Sequence, residues 1–247
     1  MTTYRKAPRI HVAADLIVGG DVVLPEGPAR HVARVLRLGE GALLRLFDGA
    51  GHEAEAVLVE ASRKRVVARI EAVEAGGGES PLVVHLGQAI SKGDRMDYAI
   101  QKAVELGVAA ITPLYTEHGD VRLKGEREAK KLAHWQAVAA SACEQCGRAV
   151  VPPVHPPLAL AEWLVERSEA LRLVLHPATG AEDALQRDAA PASVALLIGP
   201  EGGLAEGEVE TARAAGFAPL TLGPRILRTE TAPVVALSLL QYRFGDL

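Results

Sequence analysis

The sequence predicts an α/β protein with two domains, a small β domain followed by a larger domain built on a parallel sheet. After residue 80, strands alternate with helical patterns, which is typical of a parallel sheet. Before residue 75, short strands and turns dominate, which is typical of a small barrel or sandwich. Three glycines at 76–78, followed by Ser80-Pro81, separate the two patterns. We therefore predict domains over residues 1–75 and 80–247.

The first domain contains three predicted strands and one short helix. Residues 43–47 and 54–59 flank an Asp48-Gly49 turn, the pattern of a β-hairpin. Polar and apolar residues alternate over 65–73, which predicts a third strand. Residues 31–38 instead show the pattern of a short helix.

The second domain contains five predicted strands and four predicted helices. The strands lie at residues 81–89, 109–114, 171–175, 194–198 and 217–222. The helices lie at residues 94–106, 126–146, 205–215 and 232–244, and a glycine follows each of the first three. The final helix is apolar around most of its circumference, so it is either a core helix or the interface of a dimer.

Composition excludes several classes of protein. The 247 residues include 27 basic and 31 acidic side chains, a net charge of −4, so a nucleic-acid site would have to be a local basic patch. No apolar run approaches the roughly 18 to 20 residues that span a bilayer, and the N-terminus lacks the pattern of a secretion signal. Cys143 and Cys146 have poor spacing for a disulfide and lack further ligands for zinc. We expect a cytoplasmic protein without a metal site.

Three unusual loops follow the last three predicted strands. They are His176-Pro177, Gly199-Pro200-Glu201-Gly202-Gly203, and residues 223–231, which carry Arg225, Arg228 and Glu230. Because ligands bind beyond the carboxyl ends of parallel strands, we expect the loops to share one edge of the sheet and to form a site. Each loop alone has a plainer explanation, as a tight turn or as a solvated charged loop.

The glycine loop before helix 205–215 does not match a phosphate-binding motif. It lacks the Lys-Ser/Thr pair of a P-loop and the spacing of a dinucleotide fingerprint. Glu201, Glu206 and Glu208 also crowd the start of the following helix, where they would repel a phosphate. A neutral or cationic nucleoside held by backbone groups fits this loop better.

Two long motifs lie at the second and third of these loops. They are Leu-Ile-Gly-Pro-Glu-Gly-Gly at 197–203 and Leu-Gly-Pro-Arg-Ile-Leu-Arg-Thr-Glu-Thr-Ala at 222–232. Together they resemble the RsmE family, ribosomal RNA small subunit uridine-N3 methyltransferases of the SPOUT superfamily. The resemblance extends over essentially the whole chain, through residues 31–37, 91–97, 101–107 and 144–148.

This resemblance implies a PUA-like N-terminal β-barrel domain that binds RNA and a C-terminal SPOUT α/β domain with a trefoil knot. It implies S-adenosylmethionine as the cofactor, 16S ribosomal RNA within an assembled small subunit as the substrate, and a homodimer as the working form. The implied cofactor contacts lie in the three loops and are His176, Pro177, Ile198, Gly199, Pro200, Glu201, Gly202, Gly203, Leu222, Gly223, Arg225, Ile226, Leu227, Arg228, Thr231 and Ala232. The knot rests on the family alone, because knots are rare in protein topology.

The implied reaction transfers a methyl group to N3 of a uridine, an atom that is weakly nucleophilic until its proton leaves. We expect Arg228 to stabilise charge on a uracil carbonyl oxygen, and Glu230 either to hold that arginine or to accept the proton. A position in the first turn of the last helix gives Glu230 a structural alternative. Arg228 is expected to matter more than Glu230 for turnover.

The predicted RNA contacts are local. A modest excess of basic residues near the N-terminus, together with the family-like segment 31–37, favours contacts by Arg5, Arg9, Arg30, His31, Arg34 and Arg37. Further candidates at the ends of predicted elements are Lys92, Gln145 and Arg148. Ordinary surface charge and helix capping are the alternatives for these residues.

Two other functions stay open from the sequence alone. A methyltransferase of the same fold that acts on transfer RNA or on a ribose 2′-hydroxyl would differ in the last loop, where this chain matches the base-modifying family. A non-catalytic RNA-binding assembly factor would keep the pocket as a relic. The intact Gly202, Gly203, Arg228 and Glu230 disfavour that second alternative.

Overall fold

The structure, a computed structural model, describes residues 4–62, 65–176, 185–187 and 189–247. The chain divides into two units, residues 1–79 with 140–151, and residues 80–139 with 152–247. The first unit thus includes a later segment of the chain, which a boundary at the glycines alone assigns to the second domain.

The first unit is built on a five-stranded sheet. Its strands are β1 (Arg9–His11), β2 (Asp21–Val23), β3 (Leu43–Phe47), β4 (His52–Ala61) and β5 (Val66–Ala75). They lie in the order β1-β3-β4-β5-β2, with β1 parallel to β3 and all other neighbours antiparallel. Helix α1 (Glu26–Arg30) continues into a π-helical turn (His31–Val35), so the helix begins earlier than the sequence predicts.

The Asp48-Gly49 turn forms the hairpin that the sequence predicts. Asp48 Oδ1 accepts hydrogen bonds from the backbone N–H groups of Ala50 and His52, at 2.7 and 3.0 Å. Gly49 has a φ of +77°, a conformation that favours glycine. The turn thereby pairs β3 with β4, and their inward-facing residues, such as Leu44 and Leu46, lie in the core of the unit.

The second unit is built on a six-stranded sheet in which every neighbouring pair of strands is parallel. The strands are β6 (Val83–Ala89), β7 (Ala110–Tyr115), β8 (Leu158–Ala159), β9 (Leu171–Leu175), β10 (Ser193–Ile198) and β11 (Ala218–Leu220). All five predicted strands are present. The two-residue strand β8 was not predicted, because so short a segment carries no periodicity.

Five helices accompany this sheet along the chain. They are α2 (Asp94–Glu105), α3 (Glu126–Cys146), α4 (Leu160–Val165), α5 (Glu206–Ala214) and α6 (Thr231–Phe244). Helix α4 was not predicted, and its Trp163 is completely buried. A Cβ atom at Gly87 of β6 would lie 2.6 Å from the Trp163 ring, so this close packing requires glycine. None of the helices within the described residues is long and apolar enough to span a membrane.

The strand order of the second sheet positions a site. It runs β11-β9-β10-β6-β7-β8, so β9, β10 and β11 lie side by side. Because the strands are parallel, the loops that follow these three strands emerge at one edge of the sheet. The residues that follow β6 emerge at the same edge, beside β10.

Candidate functional site

The loops after β9, β10 and β11 line one cavity of about 660 Å³. The predicted site residues that line it are His176, Ile198, Gly199, Pro200, Glu201, Gly202, Gly203, Leu222, Gly223, Arg225, Ile226, Leu227, Arg228, Glu230 and Ala232. Thr231 is not among the lining residues, and Pro177 lies outside the described residues. The structure therefore brings together the three loops that the sequence places at one edge of the sheet.

The glycine loop after β10 forms a tight turn. The N–H of Gly203 donates to the carbonyl oxygen of Pro200 at 2.9 Å, and Gly203 has a φ of +75°. His118 packs on this turn, since its Nδ1 donates to the Gly203 carbonyl oxygen at 3.2 Å. A Cβ atom at Gly202 would lie 3.3 Å from the Cβ of His118, so the approach leaves little room for a side chain.

The carboxylates near this loop have different partners. Arg95, the second residue of α2, lines the cavity and donates from Nη1 to Glu201 Oε1 at 2.9 Å. Glu208 accepts from the backbone N–H groups of Ala205 and Glu117, at 2.9 and 2.8 Å, so it caps the start of α5. The predicted crowding of acidic groups is therefore partly relieved, and Arg95 is a pocket residue that the sequence analysis missed.

The last loop presents an arginine and a glutamate to the cavity. The Arg228 side chain is exposed and makes no hydrogen bond or ion pair with the rest of the described chain, including Glu230. Glu230 immediately precedes α6 without capping it, because the Arg228 carbonyl oxygen accepts from the N–H groups of Thr231 and Ala232, both at 2.9 Å. The Oε2 atom of Glu230 is buried without a hydrogen-bond partner among the described residues. The alternative role of Glu230, capping of the last helix by its side chain, is therefore not found in the structure.

Thr229 lies between Arg228 and Glu230 in the chain, and its hydroxyl makes two hydrogen bonds. Its hydroxyl donates to the carbonyl oxygen of Gly199 at 2.9 Å and accepts a hydrogen bond from Nε2 of Gln88 at 3.2 Å. Gln88 is the penultimate residue of β6 and is completely buried. Gln88 is a site residue that the sequence did not predict, although an amide in a mostly apolar strand is a signal for one.

A second cavity, of about 860 Å³, lies within the first unit. Four arginines line it, namely Arg30, Arg34, Arg37 and Arg65. The first three are exposed and have no side-chain partner in the described part of the chain, whereas Arg65 pairs with Glu60 at 3.1 Å. A cavity with this charge suits a polyanion. We call it the arginine groove; Arg65 is a member that the sequence analysis missed, and the predicted His31 is exposed but does not line it.

Two arginines that the sequence offers for RNA binding are instead engaged within the protein. Arg9 forms an ion pair with the buried carboxylate of Glu53 and donates to the carbonyl oxygens of Cys143 and Arg148, at 2.6 and 3.1 Å. Arg148 is itself 5% exposed, and its Nη2 donates to Glu79 Oε2 at 2.6 Å. These contacts give both arginines a structural role, which favours the structural alternative over RNA binding.

The other predicted RNA contacts are scattered. Lys92 is exposed and pairs with Asp120, and Gln145 is exposed near the end of α3. The side chain of Arg5 lies outside the described residues.

Cys143 and Cys146 are free thiols, and the hydrogen bond with Cys146, together with burial, raises the pKa of Cys143. No group of three or more His, Cys, Asp or Glu side chains suited to a metal ion was found in the described ranges.

Comparison with protein families defines the class of the molecule. A family model described as an RNA methyltransferase domain matches residues 78–241, and one described as an RNA methyltransferase PUA domain matches residues 24–71. The fold and the site are those of an RNA methyltransferase in which a PUA domain precedes the α/β domain.

Relatives and solved structures narrow this class to one family. The ribosomal RNA small subunit methyltransferases E of Buchnera aphidicola (subsp. Acyrthosiphon pisum) and Bacillus subtilis are 34% and 32% identical to this chain; the matches cover 98% and 86% of it, and 96% and 86% of those proteins. The chain belongs to the ribosomal RNA small subunit methyltransferase E family, abbreviated RsmE.

Two solved structures are similar to this chain over almost their whole length. One is the Neisseria gonorrhoeae ribosomal RNA small subunit methyltransferase E bound to S-adenosyl methionine, with a TM-score of 0.89, 40% identity and coverage of 98% of this chain and 99% of that one. The other is a putative methyltransferase of Legionella pneumophila in complex with the same cofactor, with a TM-score of 0.94, 43% identity and coverage of 98% and 100%. The predicted fold class, a PUA-like domain followed by a SPOUT α/β domain, is confirmed, and the knot stays a prediction.

Proposed function

We propose that the protein is an S-adenosylmethionine-dependent methyltransferase that methylates N3 of a uridine in 16S ribosomal RNA. The observation that carries this proposal is the 660 Å³ cavity in which glycine turns from the sheet edge meet Arg228 and the unpartnered carboxylate of Glu230. Membership of the RsmE family supports the choice of ribosomal RNA over transfer RNA. The choice of uracil N3 rests on the last loop, which resembles base-modifying enzymes.

The residues of the cavity fit S-adenosylmethionine. Pockets for small molecules typically span about 300–1,000 Å³ and combine apolar walls with a few polar groups. Here the walls are glycine turns and aliphatic residues such as Ile198 and Leu222, and the carboxylates of Glu201 and Glu230 suit a positively charged sulfonium. When bound, this cofactor supplies a methyl group made electrophilic by its positive sulfur. Residues 198–203 and 222–232 would hold it, together with His176.

Arg228 and Glu230 have different roles at the uracil: Arg228 stabilises negative charge and Glu230 accepts a proton. Negative charge develops on the carbonyl oxygens of the base as the N3 proton leaves, and the guanidinium of Arg228 donates hydrogen bonds to stabilise it. Because Glu230 forms no ion pair with Arg228 in the described chain, we assign its free carboxylate oxygen the acceptance of the N3 proton. Positioning of the base beside the methyl group supplies the rest of the acceleration.

The RNA is held by charge and presents an unpaired base. Uracil N3 lies on the Watson–Crick edge, so the target base must be extruded or single-stranded before it reacts. Arg30, Arg34, Arg37 and Arg65 of the arginine groove would neutralise backbone phosphates. We propose that the substrate is the assembled small subunit.

We further propose a homodimer that acts in the cytoplasm. Helix α6 supports the dimer, since Leu239 and Tyr242 on it are 39% and 77% exposed although the helix is predominantly apolar. Exposed apolar side chains on one helix are a typical feature of subunit interfaces. Light scattering of the purified protein at micromolar concentration tests this; a mass of one chain contradicts it.

Methyl transfer from radiolabelled S-adenosylmethionine to small subunits that lack the modification tests the function. We expect label in 16S ribosomal RNA, recovered as 3-methyluridine after digestion to nucleosides, and no label in subunits that already carry the modification. Label in transfer RNA or on ribose would establish the alternative methyltransferase. Binding of the cofactor without transfer to any of these RNAs would favour the non-catalytic assembly factor.

A further inference from the structure

A short chain of hydrogen bonds connects strand β6 to two segments that line the cavity. Nε2 of Gln88, near the end of β6, donates to the hydroxyl of Thr229, and that hydroxyl donates to the carbonyl oxygen of Gly199. Gly199 is the first residue after β10, and Thr229 lies in the loop before α6. The chain therefore joins the glycine turn to the loop that carries Arg228 and Glu230.

The chemistry of Thr229 makes this connection directional. A hydroxyl has one proton to donate, and here the Gly199 carbonyl oxygen receives it, so the oxygen of the hydroxyl is free to accept from the Gln88 amide. Thr229 is 4% exposed and Gln88 is 0% exposed. Nε2 of Gln88 also donates to the carbonyl oxygen of Ala89, at 3.2 Å. Loss of the Thr229 hydroxyl would remove one acceptor of the Gln88 amide and one donor to the Gly199 carbonyl oxygen, and a hydrogen bond lost in a buried place costs more than an exposed one.

Gln88 keeps a buried polar atom that the fold does not use. Its Oε1 has no hydrogen-bond partner among the described residues, as is also true of Glu230 Oε2. Unsatisfied buried polar atoms are costly, and an apolar side chain of the same length would fill this position in a strand at lower cost. The unsatisfied oxygens of Gln88 and Glu230 both lie at the carboxyl edge of the sheet. This placement favours a role in the site over a role in packing alone.

We propose that Gln88, acting through Thr229, is a positioning residue for methyl transfer. The pair fixes the Arg228–Glu230 segment against the glycine turn, so that both catalytic side chains face the bound cofactor. Neither Gln88 nor the hydroxyl of Thr229 takes part in bond making. The turnover readout rests on the proposed function, whereas the affinity for S-adenosylmethionine is measured without any RNA.

The decisive variants remove one donor or acceptor and keep the shape. Thr229→Val is isosteric and breaks both hydrogen bonds, Thr229→Ser keeps the hydroxyl, and Gln88→Met keeps the length of the side chain without its amide. We expect Thr229→Val and Gln88→Met to weaken S-adenosylmethionine binding three- to tenfold by calorimetry and to lower kcat about tenfold at unchanged KM for the RNA. Thr229→Ser is expected to retain both parameters within about twofold.

The double variant tests whether the two residues act through one connection. Among the described residues the side chain of Gln88 is connected to Gly199 through Thr229, so Gln88→Met with Thr229→Val should lose no more than the stronger single variant. Losses that multiply would contradict the proposed chain. Should Thr229→Val fail to fold, Gln88→Met and Thr229→Ser still test the proposal by the same two readouts.

Thr112→Val is a matched control for a purely structural effect. Thr112 of β7 is 1% exposed, and its hydroxyl is paired with His85 at 2.8 Å, outside the cavity. We expect this variant to lower the melting temperature while the folded enzyme keeps its cofactor affinity and kcat. The proposal is wrong if Thr229→Val behaves in the same way. If the wild-type protein binds the cofactor but does not methylate uridine N3, the proposed function fails while the affinities still decide the role of Gln88.

Discussion

The two cavities of this protein differ in what lines them. The arginine groove of the first unit has four guanidinium groups, three of them without a side-chain partner in the described chain. The cavity of the second unit is lined largely by glycine turns and aliphatic side chains. Its charged side chains are the Arg95–Glu201 pair, Arg225, Arg228 and Glu230. The first suits a polyanion with many equivalent phosphates, and the second suits one small molecule and one base.

Arginines that look alike in the sequence also differ in the structure, since some are bound within the protein and others are exposed. Arg9 and Arg148 are bound by Glu53, Glu79 and backbone carbonyl oxygens, whereas Arg34 and Arg228 are exposed. The difference depends on whether the fold brings a carboxylate from a distant part of the chain within reach of the guanidinium. A guanidinium that is already saturated with acceptors stabilises the fold, and one that is free can contact a ligand.

The largest expected effect is at Arg228. Arg228→Ala should lower kcat by about 100- to 1,000-fold, since removal of one donor to a developing oxyanion typically has this cost. Glu230→Ala should lower kcat less. Methyl-transfer rates at saturating cofactor measure both. Arg213→Ala, at an exposed arginine of α5, is the matched control and should leave the rate unchanged. Near-normal turnover of Arg228→Ala would contradict the assigned role.

Arg9→Ala should act on stability instead of RNA binding. The change leaves the buried Glu53 with Arg45 as its remaining ionic partner among the described residues. It also removes the Arg9 hydrogen bonds to the carbonyl oxygens of Cys143 and Arg148, the first of which keeps the N–H of Gly147 as a donor. We therefore expect the free energy of unfolding to fall by about 2–4 kcal/mol. Urea unfolding measures this. Arg69→Ala, which breaks an exposed pair with Asp21, should have a much smaller effect. An Arg9→Ala protein with unchanged stability and impaired RNA binding would contradict this account and would support an RNA contact by Arg9.

The pH dependence of stability tests His85, a residue of strand β6 that does not line the cavity. Burial, with the charges of Arg167 and His155, lowers the pKa of His85 to about 3. An unfolded histidine gains its proton below about pH 6.5 while folded His85 stays neutral, so this group supports the fold fully above pH 6.5 and progressively less below it. At pH 5 the loss should be about 2 kcal/mol.

His85→Gln checks this sign. The free energy of unfolding of the variant, measured at pH 7 and pH 5, should fall less on acidification than that of the wild type, by about 2 kcal/mol. Equal falls in the two proteins would show that His85 carries no such linkage.

The smallest expected effect is in the arginine groove. Arg34→Ala with Arg37→Ala should raise the KM for the RNA about tenfold and reduce the salt dependence of binding by about one unit of slope for each lost phosphate contact. The affinity for S-adenosylmethionine should not change. Filter binding over a range of salt concentrations measures the slope, with Arg69→Ala as the control in the same unit. An unchanged slope would exclude the groove as a phosphate site.

Local patterns account for what could be predicted from the sequence. The Asp48-Gly49 hairpin and the alternation of strands and helices after residue 80 depend on neighbouring residues, and the structure contains them. The meeting of the three loops also follows locally, because parallel strands end at a common edge of the sheet. Most of the lining of the cavity was predictable for this reason.

Long-range partners account for what could not be predicted. Residues 140–151 join the first unit through hydrogen bonds such as Ala149 N–H to the Gly77 carbonyl oxygen, at 3.1 Å, which no periodicity reveals. The role of Arg9 depends on Glu53, 44 residues away, and the contact of Gln88 with Thr229 spans 141 residues. In each case the deciding group is a polar partner that only the folded chain brings close.

A crystal structure of the protein with S-adenosylmethionine tests the central claim most directly. We predict that the cofactor lies between residues 198–203 and 222–232, in contact with His176, and that its methyl group faces Arg228 and Glu230. A cofactor bound anywhere else, or loops that separate when it binds, would contradict this account of the site.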